Sequence, residues 1–234
     1  MTSKIPIAYC DTSFIFEYWE AEVINEISDF DEVRKFNRPE YFDFIVSILK
    51  SENRIKAVEP LKNKLFNDFN GDVKIELVSS FFALSEIFEK HAEWNFKNII
   101  SESTGIDRSL NKGKKDIGDL INKVYKDESE VSESIFYALF PPDLDDALFG
   151  IKFLDIEKIS FQLKDFYGNY SFLSVLQVGT VDILHLIAAN HFNAEYFLTF
   201  DTDFKRVKKF AGQELNLKIV VGSDEISKFI KSLK

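Results

Sequence analysis

Short apolar segments alternate with helical stretches along this chain, and this alternation constrains its fold more than any other feature. Residues 5–10 (IPIAYC), 73–78 (VKIELV) and 150–156 (GIKFLDI) are strand candidates, as are Tyr196–Phe200 and Leu217–Val221. The sequence between them carries apolar residues at helical spacing. Because parallel strands need long crossover connections, which are usually helices, the sequence predicts an α/β fold with a mostly parallel sheet.

Capping residues and apolar spacing mark the helices. Ser79 and Ser80 are predicted to cap the helix that begins at Phe81, and Thr180 the one that begins at Val181. A polar stretch that contains glycine, residues 100–119, indicates an exposed loop. The predicted helices are Phe14–Ser28, Pro39–Lys50, Pro60–Phe69, Phe81–Phe96, 119–140, Glu157–Tyr167, Val181–His191 and Asp224–Leu233.

Length and composition indicate one globular domain. The 234 residues are 45% apolar, which is enough for a buried core. We expect a single domain over residues 1–234, with helical insertions around residues 30–70 and 100–170. The sequence shows no apolar run of about 18 residues and no signal-peptide pattern, so a membrane span is not expected. The single cysteine, Cys10, excludes an internal disulfide and favours a reducing compartment, which predicts a cytoplasmic protein.

Acidic residues stand where two of the predicted strands end. Asp11 directly follows the first strand, and Asp201 follows Tyr196–Phe200. Asp182 lies in the first turn of a predicted helix, and Glu86 lies about two turns into another. Ligands of open α/β sheets bind outside the carboxyl ends of the strands, so we expect these acids in one cleft. Clustered carboxylates need a cation, and an all-oxygen site suits Mg²⁺ or Mn²⁺, which can activate water at a scissile phosphate.

The motifs around these acids resemble those of PIN-domain nucleases. The segment IAYCDTSF resembles the first motif of that family, a hydrophobic strand followed by Asp-Thr-Ser. LVSSFFALSEIFEK resembles the second motif, and VGTVDILHLIAANHFNAEYFLTFDTDF resembles the third and fourth together. The toxin ribonucleases of toxin–antitoxin modules (VapC type) carry this pattern.

The resemblance implies a three-layer fold with the parallel strand order 3-2-1-4-5, dependence on Mg²⁺ or Mn²⁺, and endonucleolytic cleavage of RNA. In the family, four acids are catalytic and bind the metal, a further acid often follows the fourth, and a hydroxyl group lies near the first. The residues that match these positions are Asp11, Glu86, Asp182, Asp201 and Asp203, with Thr12 and Ser13 for the hydroxyl.

The toxin assignment is a narrower hypothesis than the nuclease assignment. The gaps from Asp11 to Glu86 and from Glu86 to Asp182 are long compared with the short toxins, and larger PIN proteins have other roles in RNA processing. For a toxin, the resemblance implies an antitoxin protein as a partner and is compatible with a homodimer.

Several residues near the motifs have two interpretations that the sequence leaves open. His185, one turn after Asp182, is expected either to contact the site or to pack as a structural histidine. Lys205 and Arg206, which begin a basic cluster after the fourth acid, either contact RNA phosphates or form a solvated helix face. The net charge of −10 argues against tight nonspecific binding of a polyanion, but it allows a local basic patch.

Two other functions compete with a nuclease. A phosphotransferase of the haloacid dehalogenase kind also has a strand followed by Asp-x-Asp, but here Phe204 follows the second Asp and too little sequence remains downstream for the Lys and acidic pair that such enzymes need. The other alternative is a catalytically silent PIN-fold scaffold that binds protein or RNA partners. The presence of all four acids favours the nuclease over the scaffold.

Overall fold

The computed structural model describes residues 5–26, 42–68, 73–87, 148–154 and 177–233, of which 22–26 and 42–50 are described by their backbone alone. The chain divides into two compact units, residues 1–84 with 146–234 and residues 85–145. The loop predicted at 100–119 and the helices predicted at 119–140 and Glu157–Tyr167 lie outside the described residues.

A five-stranded parallel sheet forms the centre of the first unit. Its strand order is β3-β2-β1-β4-β5, which confirms the 3-2-1-4-5 order. β1 is the central strand: Ala8 lies in register with Leu77 on one side and with Tyr196 on the other. The chain therefore fills one side of β1 first and then the other, so the strand order reverses between β1 and β4. The strands are β1 Ile7–Cys10, β2 Glu76–Ser80, β3 Ile151–Leu154, β4 Tyr196–Thr199 and β5 Lys218–Val221.

Helices cover both faces of this sheet and give the predicted three-layer α/β fold. On one face, α2 packs against both α1 and α6; on the other, α4, α5 and a 3-10 helix share a hydrophobic core with the sheet. None of the described helices is long and apolar enough to cross a membrane. The helices are α1 Thr12–Glu26, α2 Phe42–Phe66, α3 81–87, α4 Thr180–His191, α5 Lys208–Glu214 and α6 Gly222–Ser232, with the 3-10 helix at Thr202–Val207.

Side chains along a strand point alternately to the two faces of the sheet, so every second residue of β1 and β4 lies in the core beneath α4. Tyr9 and Phe197 lie side by side in the sheet and their rings stack at 5.5 Å. Phe204 of the 3-10 helix packs on Phe197 at 4.8 Å, and Leu186 of α4 is buried in the same cluster. Because the strand period is two residues, Ala8 and its alternate neighbours face the opposite layer.

The prediction of two separate helices, Pro39–Lys50 and Pro60–Phe69, is wrong. A single helix, α2, runs from Phe42 to Phe66 with Pro60 inside it. A proline inside a helix costs about 3 kcal/mol. Ile55, Val58 and Leu61 lie at helical spacing on both sides of it and are fully buried, and each contributes about 1.5–3 kcal/mol. The burial of this apolar face therefore outweighs the free-energy cost of Pro60 in the helix.

The predicted helix caps are correct only in part. Ser79 and Ser80 end β2 and are buried, and Ser80 directly precedes the helix that begins at residue 81, as predicted. Ser79 Oγ donates to the Cys10 carbonyl at 2.7 Å, so hydrogen bonding within the sheet replaces the capping role. Thr180 is the first residue of α4, and Gly179 holds the cap position. The 3-10 helix and α5 were not predicted.

Two buried glutamates lie where α1 packs against α2. Glu17 and Glu20 are one turn apart on α1 and only 3% and 4% exposed. Arg54 Nη1 of α2 donates to Glu17 Oε1 at 3.2 Å, whereas the Oε2 atoms of both glutamates lack a donor among the described residues. Burial and the neighbouring Glu17 carboxylate raise the pKa of Glu20 to about 9, and burial also raises the pKa of Glu17. The two carboxyl groups therefore share a proton at neutral pH.

Candidate functional site

The carboxyl ends of β1 and β4 meet where the strand order reverses. Asp11 follows β1 directly, and Asp201 stands two residues after Thr199, the last residue of β4. The Asp11 amide donates to the Leu198 carbonyl at 3.2 Å, so strand pairing extends to the first acid. Open α/β sheets bind ligands in the crevice at such a reversal. The structure thus places two of the predicted acids at the expected edge of the sheet.

Asp11 is a buried carboxylate held by three different donors. It is 4% exposed. Its Oδ1 accepts from Ser13 Oγ at 2.8 Å and from the Phe14 amide at 2.9 Å, and its Oδ2 accepts from Thr199 Oγ1 at 2.6 Å. Ser13 Oγ also lies 3.1 Å from Oδ2, but its single proton favours the shorter contact. Since a carboxylate has about four acceptor positions, these three donors leave one position on Oδ2.

The two hydroxyl groups that hold Asp11 also hold the backbone that leads to Asp201. Ser13 Oγ accepts from the Phe200 amide at 2.8 Å, and Thr199 Oγ1 accepts from the Asp201 amide at 2.9 Å. Each hydroxyl therefore donates to the carboxylate and accepts from the segment after β4. This network fixes the Asp201 backbone relative to the Asp11 side chain.

The electrostatic state of Asp11 follows from this environment. Burial raises the pKa of Asp11 to about 6, although the Thr199 hydrogen bond and the nearby His185 act to lower it. A bound cation would lower this pKa further, because an opposite charge favours the carboxylate. Burial raises the pKa of the preceding Cys10 thiol, so this thiol is a core group and a poor nucleophile.

Asp182 has a local structural role in the first turn of α4. It is half-buried, and its Oδ2 accepts from the Gly179 amide at 3.2 Å. A Cβ atom at position 179 would stand 3.0 Å from this oxygen, so glycine allows the close approach. Asp182 therefore helps to cap the N-terminus of α4, the helix to which it belongs.

The remaining predicted residues differ in what the structure shows. Glu86 lies half-buried in α3 within the second unit, and its assignment to the site stays a prediction. Asp203 is exposed; its amide donates to Asp201 Oδ1 at 2.8 Å, and its carboxylate pairs with Arg206 at 2.6 Å. Lys205 and Arg206 are exposed on the 3-10 helix that starts after Asp201, where both solvent and a ligand can reach them.

The described acids at this edge of the sheet do not form a closed set of metal ligands. Over the described ranges, no three His, Cys, Asp or Glu side chains form a group that could hold a metal ion. Mg²⁺ usually keeps several waters and binds proteins through one or two carboxylates together with substrate phosphates. Asp11 and Asp201 are two carboxylates at one edge of the sheet, which is the number of protein ligands that this mode of binding needs.

A second hydrogen-bonded chain reaches the residues on both sides of Asp11. His185 of α4 is 2% exposed; its Nδ1 lies 2.8 Å from Tyr9 Oη, and its Nε2 lies 3.2 Å from Thr12 Oγ1. Tyr9 Oη also lies 2.7 Å from Ser80 Oγ. His185 is thus both a core residue and a neighbour of the site, so the two alternatives left by the sequence are not exclusive.

Sequence reasoning did not identify Thr199, which donates to Asp11, or Tyr9, which contacts His185, and it identified Ser80 only as a helix cap. Each of the three is a hydroxyl residue in a strand that leads to the site edge. The available signal was a polar side chain within an otherwise apolar strand, since a buried hydroxyl group needs a partner.

Comparison of the chain with family models, curated proteins and solved structures finds no match in any of the three. The likeness to PIN-domain nucleases therefore rests on the sequence motifs around the four acids.

Proposed function

We propose that this protein is a metal-dependent endoribonuclease that hydrolyses RNA phosphodiester bonds with Mg²⁺ or Mn²⁺. The observation that carries the proposal is the state of Asp11. It is a buried carboxylate at the strand reversal of a 3-2-1-4-5 sheet, it is oriented by three neutral donors, and it retains one acceptor position. A buried carboxylate normally requires a cationic partner, and the contacts described for Asp11 are hydroxyl and amide groups.

The residues of the chain take distinct roles in this proposal. Asp11 would hold the cation, and Ser13 and Thr199 keep its carboxylate in one orientation. Asp201 and Asp182 would supply further carboxylate oxygens. A bound cation supplies an activated water and neutralises charge on the scissile phosphate.

RNA binding must be local, because the chain as a whole carries a net charge of −10. Lys205 and Arg206 are the proposed phosphate contacts, since both are exposed on the helix that starts beside Asp201. Arg206 is already paired with Asp203, so this pair would have to open or shift when a phosphate binds.

A catalytically silent scaffold is the second candidate. It is favoured by the lack, among the described residues, of a ready group of three metal ligands, and by the use of Asp182 as a cap for α4. The toxin of a toxin–antitoxin module is the narrower form of the nuclease proposal. A toxin should arrest growth when expressed alone, and a co-expressed antitoxin should relieve the arrest.

Cleavage of single-stranded RNA tests the proposal. The purified protein is incubated with a labelled RNA in Mg²⁺, in Mn²⁺ and in EDTA. We expect cleavage with either metal, none in EDTA, and a loss of at least about 100-fold in Asp11→Asn, because even residues that only orient a metal ligand contribute up to about that factor. Glu195→Gln is the matched control, because Glu195 is exposed and precedes β4 at the opposite edge of the sheet.

Equal rates in the wild type and Asp11→Asn would exclude this site. No cleavage with any metal, together with stable binding of a partner, would establish the scaffold instead.

A further inference from the structure

The buried chain Ser80–Tyr9–His185–Thr12 joins four elements that converge on the proposed site. Ser80 ends β2, Tyr9 lies in β1, His185 lies in α4 and Thr12 begins α1. The three contacts measure 2.7, 2.8 and 3.2 Å in that order. All four side chains are buried.

The imidazole of His185 contacts one residue on each side of Asp11 in the sequence. Tyr9 precedes Asp11 by two residues and Thr12 follows it by one, and each contacts a different ring nitrogen. The ring is rigid, so these two contacts fix the position of the β1–α1 junction relative to α4. One turn earlier on α4 stands Asp182.

We infer that His185 is a positioning residue, which holds the β1–α1 junction around Asp11 against α4 and so fixes the orientation of Asp11 in the proposed cation site. This inference rests on the proposed function, because only a metal or a substrate makes that orientation matter for activity. Partners that orient metal ligands commonly change metal affinity or activity by about 10–100-fold when they are removed.

The hydrogen-bonding capacity of the neighbouring side chains explains why histidine suits position 185. Each of the three hydroxyl groups can donate and accept, so both contacts of the ring can form whichever ring nitrogen carries the proton. An apolar residue would leave the buried Thr12 hydroxyl without this partner. Fully satisfied buried networks favour one arrangement over alternatives, which is what a ligand set requires.

Three variants separate the two ends of the ring. His185→Gln places an amide near the position of Nε2 and keeps the contact to Thr12, whereas His185→Asn places one near Nδ1 and keeps the contact to Tyr9. His185→Leu keeps neither. If the contact to Thr12 at the β1–α1 junction fixes Asp11, His185→Gln should preserve function better than His185→Asn. His185→Leu should preserve it least.

The experiment measures Mn²⁺ binding by the full-length protein with electron paramagnetic resonance, alongside RNA cleavage over a Mn²⁺ titration. We expect His185→Leu to raise the Mn²⁺ concentration for half-saturation by about 10-fold or more, and to lower kcat with little change in KM for RNA. His185→Gln should recover most of the Mn²⁺ affinity. A residue that only supports the fold would lower Tm and leave these quantities unchanged below the unfolding transition.

Folded His185→Leu with wild-type Mn²⁺ affinity would overturn the inference. If that variant does not fold, equal Mn²⁺ affinities of His185→Gln, His185→Asn and the wild type would overturn it. Wild-type protein that binds Mn²⁺ but cleaves no RNA would refute the proposed nuclease, while the order of affinities would still decide the role of His185. Wild-type protein that binds no Mn²⁺ would overturn both.

Discussion

The proton shared by Glu17 and Glu20 makes the stability of this fold depend on pH. In the folded protein the pKa of Glu20 is raised to about 9 from its ordinary value of 4.5, chiefly by burial. Between these two values the folded state holds a proton that the unfolded state releases. The free energy of unfolding contributed by Glu20 is therefore greatest below pH 4.5, and it is lost as pH rises towards 9.

The substitution Glu20→Gln should remove this pH-dependent loss of stability. One pKa unit corresponds to about 1.4 kcal/mol, so the wild type loses about 3 kcal/mol between pH 4.5 and pH 7. Glutamine has nearly the shape of the protonated acid and can donate to Glu17, so it needs no proton from solvent. We expect the variant to be about 3 kcal/mol more stable than the wild type at pH 7, with Tm higher by about 6–12 °C. Near pH 4 the two should be equally stable.

Urea denaturation, followed by circular dichroism at pH 4, 7 and 8, measures this difference. The gain from Glu20→Gln should grow with pH across the series. Glu214→Gln serves as the control, because Glu214 is exposed, and its effect should be small at every pH. If the gain in stability does not change with pH, or if the variant is less stable than the wild type at pH 7, Glu17 and Glu20 do not share a proton.

Four further predictions follow from the site and the core. Thr199→Val removes the donor to Asp11 Oδ2, so the pKa of Asp11 should rise above about 6 and RNA cleavage should fall more at pH 6 than at pH 8, as a pH–rate profile would show. In wild-type protein at low metal concentration, the cleavage rate should increase with pH through about 6, because Asp11 binds a cation only when ionised; a flat profile would contradict this. Removal of metal with EDTA should stop cleavage, and added Mn²⁺ should restore it in the same sample. Leu186→Ala empties a fully buried position under the sheet and should lower the free energy of unfolding by about 2–5 kcal/mol in urea titrations.

The parts of the fold that the sequence predicts correctly depend on local signals. The strands are short and mostly apolar, Asp11 directly follows β1, and Asp201 stands two residues after the end of β4. Their place at one edge then follows from parallel pairing alone. Strand order was available only through the resemblance of the motifs, because nothing in a single strand states which neighbour it pairs with.

The errors arise where distant contacts override a local preference. Pro60 is a helix breaker by itself, and it lies inside α2 because the flanking apolar face packs against α1. Ser79 favours a cap locally, yet its hydroxyl group finds the Cys10 carbonyl in the next strand. Thr199 could not be assigned to the site because its partner, Asp11, is 188 positions away in the sequence.

That separation of 188 positions also orders events during synthesis of the protein. The ribosome adds roughly 5–20 residues per second, so roughly 10–40 s pass between the emergence of Asp11 and that of Thr199. During this interval β1 lacks β4, and Asp11 has neither the Thr199 donor nor the segment that Ser13 anchors. Long-range strand pairing of this kind is slow to form. A nascent chain therefore cannot present the completed site, and any activity of the protein begins only when the last strands join the sheet.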